Sequence, residues 1–268
     1  LDLGPGVTRI GYTPTSGGYS LGTEYMFLEV GQPFGQMRGW KFLGLWRSDE
    51  EAEARSYGQL PGTPKYADIS GPDGVPDGQV DGFDRTTIGY GYPDFTVGWT
   101  NIFTYKNLEL SFLINASYGN QLFNTIRIRR ESSWEGTDPK VWNYWTPENQ
   151  DTDVPALYDG QWVLDQHLVN KYIFGGGSGA TSRWVEDASF IRLKTLTLAY
   201  NFDSNLLRKI RFSKARLYFT GTNLLTLTKY TGYDPEVAQY AYNDALIGVD
   251  QSVYPPARMF TFGIDFTF

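Results

Sequence analysis

The chain ends with the stretch Ala257-Arg258-Met259-Phe260-Thr261-Phe262-Gly263-Ile264-Asp265-Phe266-Thr267-Phe268, in which large apolar residues alternate with small or polar ones. Successive side chains of a β-strand point to opposite faces of the sheet. One face therefore receives the apolar set Phe260, Phe262, Ile264, Phe266 and Phe268, and the other receives Thr261, Gly263, Asp265 and Thr267. The stretch predicts a strand with one strongly apolar face.

Such a strand is typical of a transmembrane β-barrel, whose apolar side chains face lipid and whose polar side chains face the lumen. The chain end also resembles the signal by which barrels are handed to their assembly machinery: a polar residue, a glycine and two spaced hydrophobic residues. Thr261, Gly263, Phe266 and Phe268 fit that pattern. The alternative is an ordinary amphipathic strand that ends on phenylalanine, since alternation in one segment is a weak signal.

The composition of the chain excludes several classes of protein and of binding site. The 268 residues contain no cysteine, which excludes disulfide scaffolds and cysteine-based metal or redox sites. The net charge is −7 and no basic run occurs, so nucleic acid is not an expected partner. No apolar run approaches the roughly 18 residues that a membrane helix needs. The chain begins without a signal segment, which for an exported protein predicts a mature chain or a fragment.

Predicted strands alternate with short and long connections along the chain. The predicted hairpins pair residues 19–30 with 36–46, 94–105 with 108–118, and 186–202 with 214–227. Long connections follow at 47–93, 119–185 and 228–256. This alternation is typical of a transmembrane barrel, in which tight turns lie in the periplasm and long loops lie outside the cell. Lys106-Asn107 is expected to form a two-residue turn in which Asn107 accepts a positive φ.

The faces of the predicted strands fit a barrel, with one informative exception. In 108–118, one face holds Leu108, Leu110, Phe112, Ile114 and Ala116, and Leu113 is the one large apolar residue on the other face. In 186–202, Arg192 and Lys194 fall on the apolar register, where a lipid-facing charge costs about 2–4 kcal/mol at the bilayer midplane. Either that part of the strand projects beyond the bilayer, or a β-bulge switches its register.

The number of strands indicates part of a larger barrel. The chain contains about seven predicted strands, or eight if 7–12 is another. Bacterial single-chain barrels have even strand numbers, and seven up-and-down strands cannot close antiparallel on themselves. The predicted fold is therefore all-β, a transmembrane antiparallel β-barrel of which residues 1–268 supply the C-terminal seven or eight strands. A complete eight-stranded barrel acting as an adhesin or structural protein is the alternative.

Several distinctive blocks follow one another along nearly the whole chain: 68–89, Tyr92-Pro93-Asp94-Phe95-Thr96, Ser117-Tyr118-Gly119-Asn120, Trp145-Thr146-Pro147-Glu148-Asn149, 186–194, 221–225 and Tyr230-Thr231-Gly232-Tyr233-Asp234-Pro235-Glu236. Together these blocks resemble the last quarter of SusC/RagA-type TonB-dependent transporters. The resemblance implies a 22-stranded, multi-pass barrel in the bacterial outer membrane, with its plug domain not in this sequence. It also implies coupling to the TonB complex and a SusD-like lipoprotein partner that helps capture glycans or peptides.

The sharpest local motif is the acidic run from Asp73 to Asp84. A calcium loop places oxygen ligands at positions 1, 3, 5, 9 and 12, a carbonyl at 7 and glycine at 6. Positions 1, 5, 6, 9 and 12 hold Asp73, Asp77, Gly78, Asp81 and Asp84, and Gln79 would offer its carbonyl. Val75 breaks the pattern at position 3, where Asp68 is a candidate substitute. The alternatives are a structural Ca²⁺ site and a polar loop with solvated carboxylates.

No constellation for catalysis is found, and the chain is not expected to be an enzyme. His167 is the single histidine and has neither a nucleophile pattern nor metal-ligand spacing. Four tryptophans of the predicted loops are candidates for stacking on sugar rings or for packing the loops together: Trp134, Trp142, Trp145 and Trp162. The competing function from another class is a secreted β-rich carbohydrate-binding module or glycosidase.

Overall fold

A computed structural model describes residues 3–12, 15–16, 19–20, 24–131, 138–158, 161–162, 180–203, 207, 211–236 and 247–268. The chain divides into two compact units, which interleave along the sequence. Unit 1 comprises Leu1–Tyr92, Gln121–Glu186 and Val237–Val253, and unit 2 comprises Pro93–Asn120, Asp187–Glu236 and Tyr254–Phe268. The predicted long connections thus lie mostly in unit 1, and the predicted C-terminal hairpins lie in unit 2.

Unit 2 contains one antiparallel sheet of five long strands, whose spatial order follows the chain order. The strands are β1 (Phe95–Tyr105), β2 (Leu108–Tyr118), β3 (Phe190–Asn201), β4 (Lys214–Thr228) and β5 (Met259–Thr267). They are 9 to 15 residues long, and a transmembrane strand needs roughly 9–11. The predicted strands of this part of the chain are therefore confirmed to within a few residues at each end.

The register places all long connections of this sheet at the same end. Tyr105 pairs with Leu108 at the turn end, whereas Phe95 pairs with Tyr118 at the other end, where the long connections begin. The two-residue turn is confirmed, but the positive φ lies at Lys106 (53°) instead of Asn107. A positive φ at the first of two turn residues matches the twist of the flanking strands, as in a type II′ turn.

Outside this sheet the strands are short. A four-stranded sheet joins Arg9–Tyr12, Met26–Glu29, Gln36–Gly39 and Thr86–Tyr90, and a three-stranded sheet joins Val185–Asp187, Gln121–Asn124 and Val249–Asp250. Two-stranded pairs are Thr15–Ser16 with Tyr19–Ser20, Phe42–Leu45 with Pro64–Tyr66, and Leu157–Tyr158 with Gln161–Trp162. The α-helices are Glu51–Ser56 and Thr125–Arg130, and the 3₁₀ helices are Ser48–Glu50, Gly82–Asp84, Pro139–Asn143 and Ser182–Trp184.

The first predicted hairpin does not join the long sheet. The segments 19–30 and 36–46 form strands of two or four residues, which are too short to cross a bilayer. Tyr25, Met26 and Met37 are at most 1% exposed, because these strands pack into a core of unit 1. Among the described residues, the long sheet therefore has five strands where the sequence predicted seven or eight for the barrel.

The main core of unit 1 combines aromatic and aliphatic side chains. Its buried members are Tyr25, Met26, Met37, Phe123, Ile128, Ala180, Trp184 and Val249. Tyr25 and Phe123 contact each other with ring centroids 4.9 Å apart. Unit 1 is thus organised like a water-soluble domain around a buried centre. No helix in the described ranges is long and apolar enough to cross a membrane.

Candidate functional site

One face of the five-stranded sheet, here called the apolar face, exposes large hydrophobic side chains along all five strands. Exposed members include Phe95, Trp99, Phe103, Leu108, Ile191, Leu198, Phe219, Leu227, Phe260, Phe262 and Phe266. Phe262 is 71% exposed and Phe260 is 63% exposed. Water-soluble surfaces rarely carry contiguous apolar patches of this kind, whereas the lipid-facing side of a barrel requires them.

The opposite face, the polar face, carries mostly threonine, serine and charged residues. Thr197 on β3 and Thr220 on β4 are direct neighbours whose hydroxyl groups lie 2.8 Å apart. Alternation is not perfect, because Ile102 lies on the polar face with 61% exposure and Asn101 lies on the apolar face. The sheet still has two chemically distinct sides, as the sequence predicted from its period of two.

A β-bulge in β3 turns Arg192 away from the apolar face. Leu193 and Thr195 pair with adjacent residues of β2, so Lys194 is the extra residue. One extra residue reverses the alternation of side chains beyond it. Arg192 consequently lies on the polar face, and Ile191, which is 53% exposed, lies on the apolar face. Of the two predicted explanations for this basic pair, the structure shows the bulge.

Arg192 binds the segment that follows β4. Its side chain is 1% exposed, and one guanidinium nitrogen donates to both carboxylate oxygens of Asp234 at 2.7 Å. A second nitrogen donates to Glu236 at 2.7 Å, and Nε donates to the hydroxyl of Thr226 at 2.9 Å. Charge-assisted bonds of this kind compensate for burying the guanidinium. The acidic residues of the Tyr230–Glu236 block are therefore held against the polar face.

A second charged group crosses the polar face near its turn end. Arg216 on β4 donates to Glu109 on β2 at 2.7 Å, and its guanidinium lies 4.0 Å from Asp265 on β5. Ala199 of the intervening strand is 1% exposed and pairs directly with Glu109. Because the alanine side chain is small, the arginine can reach over β3. This group connects three of the five strands.

The predicted calcium loop uses its carboxylates for hydrogen bonds within the loop. Asp84 is 1% exposed and accepts from the backbone amides of Ile69 (2.6 Å), Ser70 (3.0 Å) and Asp81 (2.7 Å). The other carboxylate–amide bonds are Asp68 to Asp77 (3.3 Å) and Gly78 (2.7 Å), Asp77 to Gln79 (3.0 Å), and Asp81 to Phe83 (2.8 Å). Backbone amides thus stabilise the negative charges of these carboxylates, for which the sequence had suggested either a cation or solvent.

These bonds leave Asp73 as an exposed carboxylate at the loop surface. In the described parts of the chain, no three His, Cys, Asp or Glu side chains are grouped so as to hold a metal ion. Ca²⁺ binding by Asp73, Asp77, Gln79, Asp81 and Asp84 therefore stays a prediction.

The candidate tryptophans occupy different environments. Trp145 is 4% exposed and packs against Leu45 and Ala156, so it packs the loops together. Trp142, in the 3₁₀ helix Pro139–Asn143, is 82% exposed and offers its ring to solvent. Trp162 lies in a strand that pairs with Leu157–Tyr158. Trp134 and His167 lie outside the described residues.

A buried ion cluster in unit 1 was not predicted from the sequence. Arg183 donates to Glu131 at 2.6 Å, and both side chains are 2% exposed. Arg127 also binds Glu131 and donates to Asp153 at 2.6 Å. Burial lowers the pKa of Arg183, against the opposing charge of Glu131. The i,i+4 spacing of Arg127 and Glu131 is a local signal, but the contact with Arg183 depends on tertiary structure.

Asp153 extends this cluster to Lys140, whose ammonium lies 2.7 Å from the carboxylate. Burial alone would raise the pKa of Asp153. The hydrogen bond from Lys140 and the charges of Arg183 and Arg127 outweigh burial and lower that pKa to about 2. The carboxylate is therefore held in its charged form by three basic side chains.

The predicted terminal signal lies on β5 and just beyond it. Thr261 and Gly263 are on the polar face, and Phe266 is on the apolar face. Phe212 contacts both Phe266 and Phe268, with ring centroids 4.9 and 5.0 Å apart. The two phenylalanines of the signal thus share an aromatic cluster at the turn end of the sheet. The role of these four residues in assembly stays a prediction.

Comparison with known proteins gives several relatives of one kind. TonB-dependent receptor P3 of Formosa agariphila is 31% identical over 258 residues, covering 94% of this chain and 24% of that protein. TonB-dependent receptor P26 of the same organism is 34% identical over 256 residues, covering 92% and 24%. TonB-dependent receptor SusC of Bacteroides thetaiotaomicron is 26% identical over 194 residues, covering 71% and 17%. No protein-family model matches the chain.

Solved structures agree on the fold. The RagAB peptide transporter aligns with a TM-score of 0.68 and 24% identity, over 98% of this chain and 25% of that chain. The RagAB peptide importer in the open-open state aligns with a TM-score of 0.69 and 24% identity, over 100% and 25%. With its two-faced sheet and these relatives, the chain belongs to the TonB-dependent receptors, which are outer-membrane β-barrel proteins, and spans about a quarter of the length of the relatives P3 and P26.

Proposed function

We propose that this chain forms part of the wall of an outer-membrane TonB-dependent transporter that imports oligosaccharides or peptides. The observation that carries the proposal is the five-stranded sheet with an exposed apolar face and an opposite polar face. The similarity to TonB-dependent receptors and to the RagAB structures supports it. A secreted carbohydrate-binding module or glycosidase, the competing function, would need to cover this apolar face with other protein.

The proposal includes partners that this chain does not contain. A SusD-like lipoprotein would help capture substrate at the cell surface, and the TonB complex would supply energy through a plug and a TonB box. The relatives named SusC and RagAB support this expectation. The polar face would then line the path of the substrate, because apolar side chains occupy the other side of the sheet.

The test of transport uses the intact protein in its native host. Deletion of its gene should abolish growth on one glycan or on peptides as sole nutrient, and re-expression should restore growth only when TonB is functional. The tagged protein should fractionate with the outer membrane and co-purify with a surface lipoprotein. Unchanged growth on every glycan and peptide source, or recovery in the soluble fraction, would contradict the proposal.

Orientation can be tested with single cysteines, since this chain has none of its own. The loops 47–93, 119–185 and 228–256 would be extracellular, and the turn at Lys106-Asn107 would be periplasmic. Val75, which is 60% exposed, should therefore react as cysteine with an impermeant maleimide on whole cells. Asn107→Cys should react only after the outer membrane is permeabilised. The reverse pattern would show the opposite orientation.

Variants of Trp142 and Trp145 separate substrate binding from packing of the loops. Trp142→Ala should leave the folded protein intact and weaken substrate binding, if the exposed ring stacks on sugar or peptide groups. Trp145→Ala should destabilise unit 1 by about 3–5 kcal/mol, because a buried indole is removed. Calorimetric titration with the transported substrate, alongside thermal unfolding, distinguishes the two. Equal affinity in Trp142→Ala and wild type would remove Trp142 from the binding site.

The calcium prediction has a matched pair of variants. If Ca²⁺ binds, Asp73→Asn should weaken binding without affecting the metal-free loop, because Asp73 is exposed. Asp84→Asn should destabilise the loop with or without calcium, because its three amide bonds are weakened. Isothermal titration with CaCl₂ measures the first effect, against an expected Kd of roughly 10⁻⁴–10⁻³ M. Thermal unfolding in EDTA measures the second. No binding by wild type at millimolar calcium would rule the site out.

A further inference from the structure

Three arginine side chains of unit 1 gather at one aromatic ring, and we call them the arginine trio. The guanidinium carbons of Arg9, Arg38 and Arg85 lie 5.4, 6.0 and 5.9 Å from the ring centroid of Phe27. Phe27 itself is 6% exposed. Guanidinium groups are attracted to aromatic rings at such distances. The buried ring therefore holds three positive charges close together.

The four-stranded sheet of unit 1 brings the trio together. Its register pairs Arg9 with Glu29, which lies two positions beyond Phe27, so Arg9 shares a face with the ring. The next strand, 36–39, pairs its first residue with Phe27 and adds Arg38 to the same face. The third member directly precedes the edge strand of the sheet, beside the strand that carries Arg38.

Within the described part of the chain, no member of the trio has a carboxylate at hydrogen-bond distance. Arg38 lies 3.7 Å from the carboxylate of Glu29 and donates instead to the carbonyl of Arg85 at 2.8 Å. Arg85 donates to the carbonyl of Glu24, and its Nε is buried with no hydrogen-bond partner among the described residues. The guanidinium of Arg9 has no hydrogen bond or ion pair to any described residue.

Buried guanidinium groups elsewhere in this chain are paired differently. Arg183 donates to Glu131 at 2.6 Å, and Arg192 donates to Asp234 at 2.7 Å. Charge-assisted bonds to carboxylates offset the cost of taking a guanidinium out of water. The trio gathers three guanidinium groups without such bonds. Its donors are therefore available to an anion from another molecule.

The charges at the trio are not balanced, although the chain as a whole has a net charge of −7. Burial and the charge of Arg9 lower the pKa of Arg38, against the opposing charge of Glu29. Burial and the charge of Arg38 also lower the pKa of Arg85, against the opposing charge of Glu24. Three positive charges thus face two negative ones, which leaves one positive charge in excess.

We propose that the arginine trio binds an oxyanion group with one negative charge, either a carboxylate or a sulfate ester. Such a group balances the excess charge, and its oxygens accept hydrogen bonds from several guanidinium groups at once. The imported substrate of the proposed function would carry this group. In that respect the inference rests on the proposed function and narrows its substrates to acidic ones.

Binding is measured on the intact protein, purified in detergent, by equilibrium dialysis against radiolabelled acetate or methyl sulfate. Chloride keeps the ionic strength constant. Each anion should saturate a single site, and the tighter of the two shows whether the natural group is a carboxylate or a sulfate ester. Transport is not part of this assay. Anion binding without import would contradict the proposed function alone, and import without anion binding would contradict this inference alone.

Two variants should change the affinity in opposite directions. Arg9→Gln should weaken binding about tenfold, because one charge-assisted donor is lost. It should fold normally, since Arg9 is exposed and its guanidinium bonds no described residue. Glu29→Gln should tighten binding severalfold, because it removes a negative charge beside Arg38. A purely structural role of the trio would not give tighter binding in Glu29→Gln.

The matched control is Arg55→Gln, which alters an exposed arginine paired with Glu51 and should leave the affinity unchanged. Circular dichroism of each variant shows that it is folded. The proposal is overturned if neither anion binds saturably, or if Arg9→Gln binds as tightly as Arg55→Gln. It is equally overturned if Glu29→Gln binds no more tightly than wild type.

Discussion

Trp184 of unit 1 and Phe262 of unit 2 are both large aromatic residues, yet one is 2% exposed and the other 71% exposed. Trp184 packs in a core with Tyr25 and Phe123. Phe262 belongs to the apolar face of the sheet, whose large side chains are exposed among the described residues. The same chain therefore follows the rules of a water-soluble protein in one unit and those of a lipid-facing sheet in the other.

Charged residues show the same contrast. Unit 1 buries Arg183 with Glu131, whereas the sheet directs Arg192 and Arg216 onto its polar face. Even there Arg192 is buried, because Asp234 and Glu236 cover it. In both units a buried guanidinium is paired with carboxylates, as the high cost of an unpaired buried charge requires. The two units differ in the surroundings of their large apolar side chains, which are buried in a core in unit 1 and exposed on the apolar face in unit 2.

The largest expected effect comes from breaking the buried pair in unit 1. Glu131→Gln leaves Arg183 buried without its countercharge and should destabilise unit 1 by about 3–5 kcal/mol. The strands of the sheet should keep their stability, because they have their own hydrogen-bond ladder. Hydrogen exchange should show lost protection in 121–131 and 180–186, with 214–228 unchanged.

The control for this variant is an exposed pair of the same kind. Glu51 and Arg55 form an i,i+4 pair at 2.6 Å, with side chains 50% and 61% exposed. Glu51→Gln should change stability by only about 0.3–0.5 kcal/mol. Equal effects of Glu131→Gln and Glu51→Gln would mean that Glu131 and Arg183 are not buried in an interior shielded from water.

The next effect concerns the sheet and its two faces. Leu198 lies on the apolar face and Thr197, its neighbour, lies on the polar face. Leu198→Arg should destabilise the folded protein in lipid vesicles by about 2–4 kcal/mol, because the charge is placed in the bilayer. Thr197→Arg should cost less, roughly the hydrogen bond with Thr220. A larger loss for Thr197→Arg would reverse the assignment of the faces.

The smallest effect is a shift in acid stability of unit 1. The pKa of Asp153 is lowered to about 2, so its ion pairs contribute fully above the unfolded pKa near 3.9. That contribution is lost as the pH falls from about 4 towards 2. Lys140→Met removes the hydrogen bond and should move the acid transition of tryptophan fluorescence to higher pH. Arg55→Met, which alters an exposed pair, should leave that transition in place.

The sequence predicted best what depends on local alternation. The strand 108–118 is found with both ends as predicted, because a period of two over eleven residues leaves one assignment of faces. The long strands that the same alternation predicted at 19–30 and 36–46 are not found, because the strands there are short and pack into a core. An apolar residue that faces lipid and one that faces a protein core give the same pattern in the sequence.

The candidate sites show where local sequence stops being informative. Trp142 and Trp145 lie three positions apart in similar polar surroundings, yet one is exposed and the other is buried. Nothing in the acidic run indicates that the amides of Ile69 and Ser70 would bind Asp84. These outcomes depend on groups brought together from other segments, and a single sequence gives no register for such contacts.

By itself the sequence determined the class of fold, the two faces of the sheet and the family, because alternation and short blocks of residues are local properties of the chain. Tertiary structure alone decided which face Arg192 takes, since one extra residue in β3 reverses the alternation beyond it. It also decided that Arg216 of β4 binds Glu109 of β2, since the small side chain of Ala199 lies between them. Contacts across strands depend on register, which the chain fixes only when the whole sheet has formed.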